Sequence, residues 1–221
     1  MKNLEPQIVL ASASKGRRML FEWFGLPFTT AITGFPEEEV KLEDFDDPAE
    51  YIQAIAVGKA LMAIEQFPQA IVITADSGVF LDGKHYGKPN NLDEARQFLL
   101  DQSGKDVEVI TAVSVVQADI GHERTEVSRS IVRFLPMGPD IIEQIIETGE
   151  AVSLAGGFDI LGKIRPFIRD IQGSPSGVIG LPLFLVQDIL EELGVVIEVD
   201  LRRSLFDKTG WDEPTGRDDI F

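Results

Sequence analysis

Three short stretches of the sequence carry residue types that could bind phosphate or activate water. In the first, Ser12 and Ser14 precede Lys15 and Arg17, where an apolar run ends and a helical pattern begins. Hydroxyl groups, a helix N-terminus and basic side chains can all bind phosphate oxygens. The stretch matches neither the P-loop pattern nor the dinucleotide-binding glycine pattern. A plain capped helix with solvated basic residues remains the alternative.

The other two stretches each place one charged side chain in a loop. Asp76 directly follows the continuous apolar run Ala70–Thr74, and the end of a buried central strand is where α/β sheets bind ligands. Such a carboxylate could hold Mg²⁺ or orient a water molecule; an aspartate that begins a tight turn is the alternative. In Gly87-Lys88-Pro89, the proline stiffens the loop that carries the lysine, and an exposed turn lysine is the alternative.

Composition excludes several classes of function. The 221 residues are 44% hydrophobic and 26% charged, as in ordinary globular proteins. The absence of cysteine excludes disulfides, thiolate metal sites and cysteine nucleophiles. A formal net charge of −17 disfavours nucleic-acid binding. The most apolar stretch, Val178–Val186, is too short to span a membrane, and Met1–Pro6 does not resemble a secretory signal. We therefore expect a cytoplasmic protein that binds neither nucleic acid nor a membrane.

The elements that must position these residues alternate between strand and helix. Ile8–Ala11 predicts a buried strand, and the helix that follows Ser14 ends at Gly25. Asp47-Pro48 is a typical helix start, and that helix is predicted to run to about Gln66. Ala70–Thr74 predicts a central strand that is buried on both faces.

The second half is rich in hairpins, and Val195–Val199 predicts the last strand. Together these patterns indicate an α/β fold with a mixed, twisted sheet, flanking helices and two lobes around a central cleft. One domain is expected over residues 1–203. Residues 204–221 are polar and acidic, which predicts a mobile C-terminal tail.

Five segments in register resemble a known family over roughly residues 6–200. They are Leu10–Phe28 (LASASKGRRMLFEWFGLPF), AVGKA around Lys59, Thr74–Pro89 (TADSGVFLDGKHYGKP), EARQFLLDQSGK, and the run from Thr148 to Leu183. Together they resemble the Maf family of nucleotide pyrophosphatases, whose fold is related to that of inosine triphosphate pyrophosphatase. The resemblance implies metal-dependent hydrolysis of a nucleoside triphosphate to the monophosphate and pyrophosphate, which removes modified or surplus nucleotides. The family was first linked to septum formation, and the resemblance is compatible with a homodimer.

Matched position by position, the resemblance implies a phosphate-binding loop and a catalytic set. The loop residues are Ser12, Ser14, Lys15 and Arg17; the catalytic residues are Glu37, Lys59, Asp76 and Lys88. Glu37 and Asp76 would hold Mg²⁺ or Mn²⁺ and position or deprotonate the attacking water. The lysines and Arg17 would offset charge on the departing pyrophosphate. For Glu37, a shift of one residue within the Glu37-Glu38-Glu39 run is the alternative.

Several positions depart from the family pattern. In the phosphate loop, which usually reads S-P-R-R, Lys15 replaces the proline and Gly16 the first arginine, so one bidentate phosphate contact is lost. Ser77 replaces a threonine. Other departures are Ser153-Leu154 for Asp-Lys, Leu161 for a glutamine thought to select the base, and Gly177 for asparagine.

Two explanations of these departures compete: the substrate differs from the pyrimidine triphosphates that one branch of the family favours, or catalysis is weakened. The main hypothesis is an active pyrophosphatase. A catalytically impaired nucleotide-binding or regulatory protein is the alternative. The remaining hypotheses are a different phosphate-ester chemistry and a scaffold that acts through the acidic tail.

Overall fold

The computed structural model describes residues 7–213 and shows a mixed α/β fold with one seven-stranded sheet and flanking helices. The predicted α/β class with a mixed sheet is confirmed. The strands are β1 (Ile8–Leu10), β2 (Thr29–Thr30), β3 (Ile71–Leu81), β4 (Lys84–Tyr86), β5 (Asp106–Gln117), β6 (His122–Phe134) and β7 (Ile168–Gln172). The helices are α1 (Lys15–Glu22), α2 (Pro48–Gln66), α3 (Leu92–Gln102), α4 (Pro139–Ile146), α5 (Pro175–Ile179), α6 (Leu183–Glu192) and α7 (Leu201–Thr209).

The sheet combines parallel and antiparallel pairing. The strand order is β2-β1-β3-β5-β6-β7, and β4 pairs with β3 outside this path. Strand β1 pairs in parallel with β2 and β3, so that Val9 lies opposite both Thr29 and Val72. The pairs β3–β4 and β6–β7 are antiparallel. All three residues of β1 are buried, as expected for a short strand between two partners.

Helix α2 begins and packs as its sequence predicts. The side chain of Asp47 accepts a hydrogen bond from the backbone N–H of Ala49 at 2.9 Å, and Pro48 occupies the first turn. These features stabilise a helix start, because Asp satisfies a free N–H and proline has none to satisfy. Ala63 on α2 packs with Val9 and Val72 in one apolar cluster. Through the small side chain of Ala63, α2 packs against β1 and β3.

The chain divides into two compact units. The first comprises the residues up to Asp76, Thr111–Val127 and Gly180–Asp212. The second comprises Ser77–Ile110, Ser128–Ile179 and the residues from Glu213 onward. Strands β3, β5 and β6 each contribute residues to both units. In the described part of the chain, no helix has the combined length and apolarity that a membrane crossing requires.

One predicted strand is absent, and one predicted strand boundary was wrong. The predicted last strand, Val195–Val199, contains no strand, and Val196 is 75% exposed. Its apolar residues lack a sheet partner, and Val199 instead approaches Gly25 in the turn after α1. Strand β3 does not end before Asp76 but runs through it to Leu81, because its second half pairs with β4.

The predicted acidic tail, residues 204–221, differs from the structure where the structure describes it. Residues 204–209 belong to α7, which Asp200 caps by accepting a hydrogen bond from the N–H of Arg203 and which ends at Gly210 with a φ of 69°. Leu205 is fully buried, so this helix has an apolar anchor that the short polar pattern concealed. Residues 214–221 of the predicted tail lie outside the described residues.

Candidate functional site

A lysine clasped by two carboxylates forms the centre of the candidate site. The Lys59 ammonium donates to Asp76 Oδ1 at 2.7 Å and forms an ion pair with Glu37 Oε1 at 2.8 Å. Lys59 is only 8% exposed, which is rare for a lysine without charge partners. The three side chains come from α2, β3 and the 3₁₀ turn Glu37–Glu39. Two acidic groups that are distant in sequence therefore converge on one buried cation.

The register of β3 against α2 places Asp76 beside Lys59. Thr74 is fully buried, and its hydroxyl donates to the carbonyl of Ala56 on α2 at 2.7 Å. Thr74 and Asp76 are two residues apart on one strand and so share a face. Ala56 lies about one helical turn before Lys59. The hydrogen bond therefore aligns the strand and the helix next to the ion pair.

Asp76 also lies at a change in the pairing of β3. The parallel pairing with β1 extends to Ile73, and the antiparallel pairing with β4 begins at Val79. Asp76 falls between these two paired segments. The Asp76 side chain is 13% exposed, so the carboxylate is largely buried but still accessible to solvent.

The loop after β1 contributes a second, partly buried cation. Ser14 caps α1 by accepting a hydrogen bond from the N–H of Arg17 at 3.3 Å, and Ser12 Oγ accepts one from the N–H of Ser14 at 3.2 Å. The guanidinium Nε of Arg17 donates to the carbonyl of Gly180 at 2.9 Å. Both hydroxyls are thus engaged in shaping the loop that presents Arg17.

Arg17 shares its surroundings with both carboxylates. Burial lowers the pKa of Arg17, while the negative charges of Asp76 and then Glu37 oppose that shift. The structure therefore brings Arg17, Lys59, Glu37 and Asp76 together in the first unit. Formally, two cations face two carboxylates, and the four charges balance.

Of the three consecutive glutamates, the first one meets Lys59. Glu37 is half exposed and pairs with the ammonium, whereas the backbone carbonyl of Glu38 accepts a hydrogen bond from Lys41 at 2.6 Å. The 3₁₀ turn points successive side chains in different directions. In this register Glu37 is the residue that joins the cluster.

The two remaining predicted lysines lie apart from this ion-pair cluster. Lys15 is exposed at the first position of α1. Lys88 belongs to the second unit, where it is exposed in the loop between β4 and α3 and forms no ion pair with the residues described. Their roles toward phosphate remain predictions.

Tyr51 is a site residue that the sequence analysis missed. Burial raises its pKa, and the charges of Asp76 and Glu37 raise it further. Its ring meets Phe45 edge to face at 6.0 Å between centroids. Tyr51 precedes Lys59 by eight residues on α2, a spacing that keeps two side chains near one helix face. This spacing from Lys59 is the sequence signal that could have identified Tyr51.

The donor set fits a divalent cation that is shared with a phosphate-bearing ligand. Within residues 7–213, no group of three or more acidic, histidine or cysteine side chains is arranged so that it could hold a metal ion. Mg²⁺ commonly uses one or two carboxylates and completes its octahedron with phosphate oxygens and water. Glu37 and Asp76 supply such a pair, and they already surround a cation in the form of the Lys59 ammonium.

The departures from the family pattern at Leu154, Leu161 and Gly177 all fall in the second unit. Gly177 is fully surrounded, because a Cβ there would lie 2.8 Å from Ser128 Oγ and 3.0 Å from Ser174 Oγ. An asparagine at this position would require its neighbours to move. Leu161 is partly buried, and its backbone N–H donates to Asp159 Oδ1 at 2.9 Å.

Replacing Thr74 with valine is expected to lower the free energy of unfolding by about 1 kcal/mol, because the Ala56 carbonyl loses its side-chain donor while the volume is kept. Urea denaturation of both proteins measures the change. Thr30→Val, at an exposed threonine, is the matched control. An equal effect of both substitutions would contradict the aligning role of Thr74.

Comparison with known proteins places the chain in a family. The family described as Maf-like protein matches residues 7–193. A dTTP/UTP pyrophosphatase of Symbiobacterium thermophilum is 36% identical over 194 residues, which cover 86% of this chain and 96% of the relative. A nucleoside triphosphate pyrophosphatase of a Synechococcus species is 35% identical over 190 residues, which cover 86% and 95%.

Among solved structures, the Staphylococcus aureus Ham1 protein is similar with a TM-score of 0.41 and 17% identity, over 58% of this chain and 71% of that protein. The predicted relation to the inosine triphosphate pyrophosphatase fold remains a prediction.

Proposed function

Because the chain belongs to the Maf family, we propose that it is a nucleoside triphosphate pyrophosphatase. It hydrolyses the bond between the α- and β-phosphates and releases the nucleoside monophosphate and pyrophosphate. The observation that carries this proposal is the cluster of Glu37, Asp76 and Arg17 around the buried Lys59. Such a cluster combines cations for phosphate oxygens with carboxylates for water and metal.

Each group in the cluster has a distinct role in the proposed reaction. The oxygen of a water molecule forms a bond to the α-phosphorus, and the bond from that phosphorus to the bridging oxygen breaks. Asp76, sheltered beside Lys59, positions this water and accepts its proton. The electron pair of the broken bond leaves with pyrophosphate, whose charge Lys59 and Arg17 offset, with exposed Lys88 as a further candidate.

The proposed cofactor is Mg²⁺ or Mn²⁺, held by Asp76 and Glu37. When bound, the metal supplies positive charge against the attacked phosphate. Ser12, Ser14 and Lys15 then belong to the phosphate-binding loop, whose backbone is shaped by the hydroxyl contacts around Ser14.

The nucleotide substrates to test first are dTTP and UTP, which the names of several relatives specify. We further propose that the protein removes modified or surplus nucleotides and is located in the cytoplasm. We also propose that it forms a homodimer and binds neither nucleic acid nor a membrane. The departures at Leu154 and Leu161 favour weaker discrimination between bases, because leucine offers no hydrogen bond to a base.

Pyrophosphate release from a panel of ordinary and modified nucleoside triphosphates tests the proposal. We expect release with Mg²⁺ or Mn²⁺ and none with chelator. If the folded protein releases no pyrophosphate from any member, but a nucleotide raises its melting temperature, the alternative of a binding or regulatory protein is favoured instead.

A further inference from the structure

The Glu37–Asp76 pair already holds a cation of its own. The Lys59 ammonium lies 2.8 Å from one carboxylate and 2.7 Å from the other, and its side chain is 10% exposed. Both distances are in the range of charge-assisted hydrogen bonds. A divalent cation that binds these two oxygens therefore competes with an ammonium that is in place.

The charge balance of the cluster opposes the entry of a metal by itself. Lys59 and Arg17 formally neutralise Glu37 and Asp76, and burial makes each added charge more costly than it is in water. A divalent cation that arrives alone would face the positive charges of Lys59 and Arg17. A divalent metal bound to a triphosphate is different, because the complex carries a net negative charge. That complex is therefore not repelled by the positive charges of Lys59 and Arg17.

A triphosphate also offers Lys59 another partner. The lysine side chain is a compact charge on a flexible four-carbon stem, so its ammonium can exchange a carboxylate oxygen for a phosphate oxygen without backbone movement. When that happens, Glu37 and Asp76 become available to the metal.

We propose that Lys59 is an internal counter-cation that keeps the Glu37–Asp76 pair closed to divalent metal until a triphosphate draws the ammonium away. Metal and nucleotide then bind with positive coupling, and each raises the affinity for the other. This inference rests on the proposed function, because it takes Glu37 and Asp76 as the metal ligands.

Binding of Mn²⁺ alone, without nucleotide, tests the inference. The free Mn²⁺ signal in electron paramagnetic resonance reports the affinity directly and does not depend on turnover. We expect Lys59→Met to bind Mn²⁺ at least about tenfold more tightly than wild type, because two carboxylates lose their competing charge. Lys59→Arg, which keeps that charge, is expected to bind as weakly as wild type.

Lys105→Met is the matched control, since it removes an exposed lysine that pairs with Asp82 at 3.5 Å elsewhere in the chain. It should leave Mn²⁺ affinity within about twofold of wild type, well below the tenfold change that 1.4 kcal/mol represents. Equal or weaker binding by folded Lys59→Met would overturn the inference, since the ammonium would then not compete with metal.

A double variant separates this inference from the proposed function. In Lys59→Met/Asp76→Asn, the extra Mn²⁺ binding should disappear. If it persists, Asp76 is not a metal ligand and the metal assignment fails. If wild type hydrolyses nucleotides with Mn²⁺ while Lys59→Met gains no affinity, only the counter-cation role fails.

Discussion

Asp76→Asn is expected to lower kcat for pyrophosphate release on the order of a thousandfold, the scale seen when one preorganised electrostatic group is removed from an active site. Asparagine keeps the shape of the side chain but carries no charge. The variant therefore loses the proposed proton acceptor, a metal ligand and the 2.7 Å ion pair with Lys59 in one change. Steady-state pyrophosphate release at saturating metal measures the effect.

Asp82→Asn is the matched control for this substitution. Asp82 is 80% exposed at its side chain and has a φ of 52°, a backbone conformation that asparagine tolerates well. We expect its turnover to equal that of wild type. If folded Asp76→Asn retained turnover within a few-fold of wild type, Asp76 would not take part in the reaction.

The local chemistry of the site could be predicted from the sequence because it depends on short-range signals. The cap at Ser14, the Asp47-Pro48 helix start and the apolar run before Asp76 are each readable within a few residues. Each fixes the direction of one element. Together they explain why the sequence analysis selected Asp76 and Arg17, which the structure brings into one cluster.

Local signals in the sequence could not show which of the three successive glutamates pairs with Lys59. Only the position of Lys59, about twenty residues away on another element, distinguishes Glu37 from Glu38. Tyr51 was missed for a related reason: a tyrosine in an amphipathic helix reads as ordinary packing until the charges around it are known.

Helix α7 was not predicted because most of its residues are polar, and only a few are buried. Helix α7 buries Leu201, Leu205 and Thr209, and with only two of these three residues apolar the pattern is weak in the sequence. The run Val195–Val199 also misled the prediction, since its β-branched residues fit a strand pattern but pair with no strand and lie in a loop. Tertiary partners decided both cases.

The last described residue provides the largest stability effect that we expect. Glu213 is 3% exposed, and its carboxylate accepts hydrogen bonds from the backbone N–H of Ser176 at 3.0 Å, from Ser176 Oγ at 2.8 Å and from Ser174 Oγ. All three residues lie in the second unit. Glu213→Ala would remove the acceptor that these three buried donors share.

We expect Glu213→Ala to lower the free energy of unfolding by about 2–4 kcal/mol, because each unsatisfied buried donor carries a desolvation penalty. The neighbouring Asp212 is the matched control. It is 59% exposed and pairs with Arg202 at 2.8 Å, so Asp212→Ala should cost no more than about 1 kcal/mol. Urea denaturation at constant pH measures both, and similar losses would contradict the buried role of Glu213.

The pH dependence separates the charge of Glu213 from its shape. Burial raises the pKa of Glu213 above its ordinary 4.5, although the hydrogen bonds from Ser174 and Ser176 oppose the shift. A raised pKa means that the native state holds this proton more tightly than the unfolded state does. The contribution of Glu213 to stability is therefore complete below pH 4.5 and falls as pH rises toward the native pKa.

The variant Glu213→Gln has no titratable carboxyl group at this position. The difference in unfolding free energy between wild type and this variant should consequently decrease as pH rises from about 4.5, the ordinary pKa of the carboxyl group. Urea denaturation of both proteins at a series of pH values measures that difference. A difference that instead grows with pH would mean that the serine hydrogen bonds outweigh burial and hold the carboxylate in its charged form.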